Sequence, residues 1–225
     1  MSFSVVSFDS LSDRLIAMDF TAANHELTDE VINDMSLFSH YVEHSLSISH
    51  ARYGIGGYNE HRTVYSRSSV FDDTLEPRRL HLGLDIWGKS GTPVFAIADG
   101  IVHSFAFNNR SGDYGATIIV KHEIEGSILH SLYGHLSLKD LQGLRVDEHI
   151  SKGQLIAHFG EPSENGNWPP HLHLQLIKDM GIWEGDYPGV CKFSEREQWL
   201  LNSPDPLPYT GLKSSEFPLH LPYGE

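Results

Sequence analysis

Two histidines one residue apart, His171 and His173, open the apolar run His171-Leu172-His173-Leu174-Gln175-Leu176. In a β-strand successive side chains point to opposite faces, so the two rings share a face, their backbone positions about 6.6 Å apart. One ring can hold a metal ion while the other stands beside whatever the ion activates. Trp168-Pro169-Pro170 come just before the pair, end a loop and orient the start of the strand.

Two further segments carry the same chemistry. In His81-Leu82-Gly83-Leu84-Asp85 a histidine and a carboxylate lie four residues apart. A straight strand would separate them by about 13 Å, too far for one ion, so the segment is expected to bend at Gly83, where glycine adopts backbone angles other residues avoid. The third segment is Tyr133-Gly134-His135, at the end of an alternating stretch from Ile128. Together they supply two histidines and one aspartate as ligands, with two histidines to spare. Spacing alone leaves open which of His171 and His173 is the ligand. Two histidines, one carboxylate and an open position suit catalytic zinc and equally non-haem Fe(II). A single cysteine, Cys191, excludes a thiolate-rich structural site.

The three segments, in this order, resemble those of the lysostaphin/LytM-type zinc metallopeptidases, whose pattern is H-x(3)-D, a histidine in a Y-x-H setting, and H-x-H. Here these read HLGLD, YGHL and HLHLQL. The stretches GTPVFAIADGIV, GDYGATIIVKHE and HISKGQLIAHFG between them are similar too, so the resemblance runs from about Arg79 to Lys178. It implies an antiparallel β-sandwich core like a duplicated hybrid motif. It also implies that His81, Asp85 and His173 bind Zn2+, and that His135 and His171 are the catalytic pair. The expected activity is endopeptidase-like hydrolysis of a peptide or amide bond, and the expected substrate is a peptide or peptidoglycan-like polymer. No H-E-x-x-H glutamate is present, so a histidine would serve as general base.

Elements to position these residues can be read from the hydrophobic pattern. Short apolar runs at Val94–Ala98, Ile101–Phe107, Thr117–His122, Ile128–Tyr133, Gln154–Phe159 and Leu172–Ile177, broken by Gly, Asn and Asp, predict antiparallel strands. Leu27, Val31, Met35, Phe38 and Val42 recur at helical spacing and predict one amphipathic helix from about Leu27 to Leu46, packed on the core or forming a wall of the site. The tail from Ser203 carries Pro204, Pro206, Pro208, Pro218 and Pro222 and reads as an extended surface segment. The expected organisation is a helical or irregular N-terminal extension over 1–75, a metallopeptidase β domain over 76–190, and a C-terminal extension over 191–225 packed on the core.

Composition narrows the function further. The 225 residues are 40% hydrophobic and carry a net charge of -14, which argues against nucleic-acid binding. No run of eighteen apolar residues suggests membrane insertion. The acidic N-terminus does not read as a secretory signal, which points to the cytoplasm unless the chain is a trimmed piece of a periplasmic or extracellular protein. Of the 15 histidines, His103, His122, His130, His149 and His158 read as ordinary surface or strand positions, and Asp113-Tyr114 as a turn. Glu60 or His61, upstream of the first motif, could plug a latent metal site. Three other functions compete: a non-haem Fe(II) enzyme using the same triad, a non-catalytic metal- or partner-binding module, and a phosphocarrier with paired histidines. The oligomeric state is not legible.

Overall fold

A computed structural model describes residues 3–67 and 76–217. The architecture is mainly β. The strands are β1 (Leu15–Met18), β2 (Tyr53–Gly56), β3 (Leu80–His81), β4 (Leu84–Trp87), β5 (Pro93–Phe95), β6 (Gly100–Asn108), β7 (Gly115–Ile124), β8 (Ser127–Leu136), β9 (His149–Ile150), β10 (Leu155–His158), β11 (His171–Ile177) and β12 (Val190–Cys191). Eight form one sheet in the order β1-β2-β4-β11-β8-β7-β6-β9, with two-stranded pairs β10-β5 and β12-β3 beside it. The pairings are antiparallel except β1 with β2, which is parallel and adds a mixed edge.

Alternation along the strands sorts the side chains into layers. In β11, Leu172, Leu174 and Leu176 enter one apolar core with Leu84 and Ile86 of β4, Tyr133 of β8, and Val94 and Ala157 of the β5–β10 pair. The small pair therefore covers one face of the large sheet. His171, His173 and Gln175 take the other face, opposite Trp87 and Asp85 in the β11–β4 register. All seven residues of β11 are buried, so both of its faces are covered.

The predicted long helix is two helices, α1 (Asp29–Asn33) and α2 (Met35–Ile48). Asp34 breaks the run. Its backbone is extended and its carboxylate accepts from the amides of Ser36 (2.8 Å) and Leu37 (3.1 Å), capping α2. Thr28 caps α1 in the same way. Phe38 and Val42 of α2 pack with Phe20, Trp87 and Trp168, so the helix buttresses the layer behind the site.

The tail does not stay extended. Helix α3 (Arg196–Asn202) leads up to it, and within it α4 (Leu207–Thr210) forms, with Pro208 in the first turn, where a missing amide hydrogen costs nothing. Gly211 turns left-handed at φ 78°, and Leu212 and Phe217 are buried in the main core. Pro218 and Pro222 lie outside the described residues. Among the described residues no helix is long and apolar enough to cross a membrane.

Candidate metal and catalytic centre

His81, Asp85 and His173 converge. His81 Nε2 lies 3.0 Å from His173 Nδ1, and Asp85 Oδ1 lies 3.3 Å from the former and 3.1 Å from the latter. Ligands about 2.0–2.1 Å from a tetrahedral zinc ion are about 3.3 Å apart, so this triangle has the dimensions of a donor set around one ion.

Hydrogen bonds on the far side of each ring fix what faces the triangle. His81 Nδ1 donates to the Gly57 carbonyl at 2.8 Å, leaving Nε2 as a lone pair. Gln175 donates its amide nitrogen to the Pro188 carbonyl (3.2 Å), which turns its oxygen towards His173 Nε2 at 3.1 Å. His173 Nε2 therefore carries the proton and Nδ1 faces the triangle as a lone pair. The Tyr114 hydroxyl lies 3.4 Å from the same Nε2. Two lone pairs and a carboxylate oxygen meeting inside a buried space repel one another without a cation between them. The donor set thus fits a metal ion, with outer partners of the kind that orient metal-bound histidines.

The chain reaches this geometry locally. His81 ends β3, Leu82-Gly83 break the strand, and Asp85 resumes in β4. The break at Gly83 is as expected, but the need for glycine is spatial. Its φ is not among the positive ones, whereas a side chain there would come within 2.5 Å of the His173 ring.

His135 and His171 line the same cavity of about 210 Å³ with Asp85 and His173. His171 Nδ1 donates to the Pro169 carbonyl (2.8 Å) and His135 Nδ1 to the Asn165 carbonyl (2.7 Å), so each presents an unprotonated Nε2. Trp87 stacks on His171 at 3.9 Å, and His171 lies 4.1 Å from His135. His135 sits at a register shift between β7 and β8 and has φ 61°, a left-handed conformation rare for histidine. The bulge brings His135 into the cavity beside His173, whose direct partner across the strands is Gly134.

Burial dominates the protonation states. It pulls His171 down to about 4, against the opposing pull of Asp85 and the Pro169 carbonyl. It also pulls His81 down to about 4, helped by the Arg62 cation, and holds His135 well below its ordinary value, with His171 adding to the effect. For Asp85 burial acts upward, but His81 and Arg62 outweigh it and hold the carboxyl well below the usual range. Both cavity histidines are therefore neutral at pH 7 and able to accept a proton.

Below pH about 6.5 the unfolded chain protonates its histidines, whereas His81 and His171 in the folded chain resist down to about 4. The unfolded state then binds more protons, so the metal-free protein loses stability as pH falls through this window, by about 1.4 kcal/mol per pH unit for each such histidine. Thermal midpoints measured from pH 7 to 4 should fall, and fall less steeply in His171→Gln. Equal slopes in the two proteins would contradict this.

Other expectations fare differently. Glu60 and His61 contribute no atom to the triangle. Glu60 is buried against Arg62, and His61 bridges to Leu80 with its ring against Phe193. His122 and His130 occupy β7 and β8, the strand positions expected of them, with both side chains buried. His122 sits between the Asp99 carbonyl and the Ser131 hydroxyl. Asp113 does lie in a turn, but Tyr114 is buried beside His173. Sequence reasoning missed Arg62, which pairs with Asp85. Its only signal was an arginine two residues after Glu60 in the otherwise uncharged stretch 53–65.

Residues 79–183 match Peptidase family M23. A DD-carboxypeptidase/endopeptidase Mpg of Neisseria meningitidis is 33% identical over 125 residues, 53% of this chain but 26% of that protein. The chain thus spans about a quarter of this relative's length. Lipoprotein NlpD of Yersinia enterocolitica is 34% identical over 93 residues, 41% of this chain and 84% of the lipoprotein. Among solved structures, the catalytic domain of lysostaphin from Staphylococcus simulans aligns with a TM-score of 0.41 at 25% identity, covering 60% of this chain and 81% of that one.

Proposed function

The chain belongs to Peptidase family M23, and on that premise we propose that it is a zinc-dependent endopeptidase acting on peptide bonds of a peptidoglycan-like substrate. The observation that carries this reading is the triangle of His81 Nε2, His173 Nδ1 and Asp85 Oδ1 beside two neutral histidines with free Nε2 atoms. In this reading those three atoms hold the ion. Zinc, when bound there, supplies Lewis acidity towards a carbonyl and a water molecule.

The remaining work falls to the chain. Amide hydrolysis must take a proton from the attacking water and deliver one to the departing amine. His135 Nε2 and His171 Nε2 are the groups in the cavity free to do both, because their Nδ1 protons are tied to backbone carbonyls. The protonated form of either also donates a hydrogen bond to oxygen as negative charge develops. Trp87 and the Pro169 carbonyl hold His171 rigidly, which keeps it within reach of the reacting atoms. We further propose that residues 76–190 form the catalytic unit, with 1–75 and 191–225 as flanking extensions. A peptidoglycan-like substrate favours a periplasmic or extracellular placement over the cytoplasmic one.

The test is cleavage of cross-linked muropeptides by protein stripped of metal and by the same protein reloaded with zinc, followed by mass spectrometry. Products gaining one water, with a new amine and a new carboxyl, are expected only after reloading. Zinc-loaded protein that cleaves no peptide in the digest would overturn the substrate class. Equal cleavage by stripped protein would overturn the metal dependence.

A further inference from the structure

Arg62 is a fully buried cation that the chemistry above does not use. Its side chain is 1% exposed. Nε donates to Glu60 Oε2 at 2.6 Å, and Nη1 donates to Asp85 Oδ2 and, at 3.2 Å, to the Tyr65 hydroxyl. It lies outside residues 79–183, in the strand-flanking segment that follows β2. The backbone of that segment is paired with the chain leading into and forming β3: Arg62 N donates to the Arg79 carbonyl (2.8 Å) and His81 N to the Glu60 carbonyl (2.9 Å). Space for the guanidinium comes from Gly56, where a Cβ would lie 2.6 Å from Nη2.

The two oxygens of Asp85 are thereby divided. Oδ1 faces His81 Nε2 and His173 Nδ1, and Oδ2 is taken by Arg62. Burying a lone guanidinium beside a cation site would repel the ion, but Glu60 compensates its charge within the same segment. What remains is direction. A planar fork with donors at fixed angles holds one carboxylate oxygen and leaves the other aimed at the histidines.

We infer that Arg62, held by Glu60, is a positioning residue that keeps Asp85 presenting one oxygen to the metal. The same segment positions His81 through the Gly57 carbonyl, so two of the three ligands are oriented from outside the matched family region. This inference rests on the proposed zinc site.

It is tested with Arg62→Lys and Glu60→Gln, by zinc dissociation constants from chelator competition and by the visible spectrum of the cobalt-substituted proteins. Lysine keeps the charge but presents its three N–H bonds from one nitrogen, and so lacks the planar fork that reaches Glu60 from Nε and Asp85 from Nη1. Zinc affinity is expected to fall about 10- to 100-fold in Arg62→Lys, with a changed cobalt band as Asp85 turns its second oxygen inward. Glu60→Gln should move both readouts in the same direction by less. Should Arg62→Lys fail to fold, Glu60→Gln carries the comparison, since it leaves the guanidinium in place. Wild-type affinity and an unchanged cobalt band in the folded variant overturn the inference while the zinc site stands. A wild-type protein that takes up no zinc overturns both.

Discussion

Replacing His171 with alanine is expected to lower kcat at least 100-fold while the protein still binds metal. General acid–base catalysis by one positioned side chain accounts for about 10²- to 10⁴-fold in rate, and His171 contributes no atom to the ligand triangle. His171 and His135 lie 4.1 Å apart and share the cavity, so on the proposed mechanism they are expected to act as a unit. The double variant should therefore be little slower than the slower single one. The measurement is kcat and metal content on the same preparations. Loss of metal together with activity in His171→Ala would mean that the assignment of ligand and catalytic roles between the two histidines of the HLH run is wrong.

Asp85→Ala should be the most damaging single substitution in the site. Asp85 is 2% exposed and is the partner of the buried Arg62 cation. Removing one member of such a pair leaves an uncompensated buried charge, at a cost of about 3–5 kcal/mol. Here Glu60 still faces Arg62, which places the expected loss at about 3 kcal/mol, the lower end of that range. Asp85→Asn keeps the shape and an oxygen for Arg62 to bond, so denaturant midpoints should rank wild type above Asn above Ala. An alanine variant as stable as wild type would show that the Arg62 pairing does not contribute as described.

Strand alternation made the central strand legible. HLHLQL reads directly as leucines into the core and His171, His173 and Gln175 onto the site face, which is the observed arrangement. The order of the three motifs identified the family, because each motif sits on or beside a strand of the sheet or of the β12–β3 pair. Harder to read were features that depend on contacts distant in sequence. Arg62 meets Asp85 across 23 residues, through a gap at Gly56 that no periodicity announces. The left-handed conformation of His135 arises from a bulge between two long strands. The helical spacing from Leu27 to Val42 runs through Asp34 without a break, yet the Asp34 side chain caps α2 and its backbone amide closes α1. Prolines after Ser203 suggested an extended tail because local rules weigh proline as a breaker, whereas Leu212 and Phe217 find room in the core and fold the tail back onto it.

A single metal ion held by His81, Asp85 and His173 is open to direct measurement by elemental mass spectrometry on wild type and Asp85→Ala, purified without added metal or chelator. Near-stoichiometric zinc is expected in wild type, and its loss in the variant. Metal unchanged by the substitution, or none in wild type even after zinc is supplied, would contradict it, and iron in place of zinc would transfer the same ligands to a different chemistry.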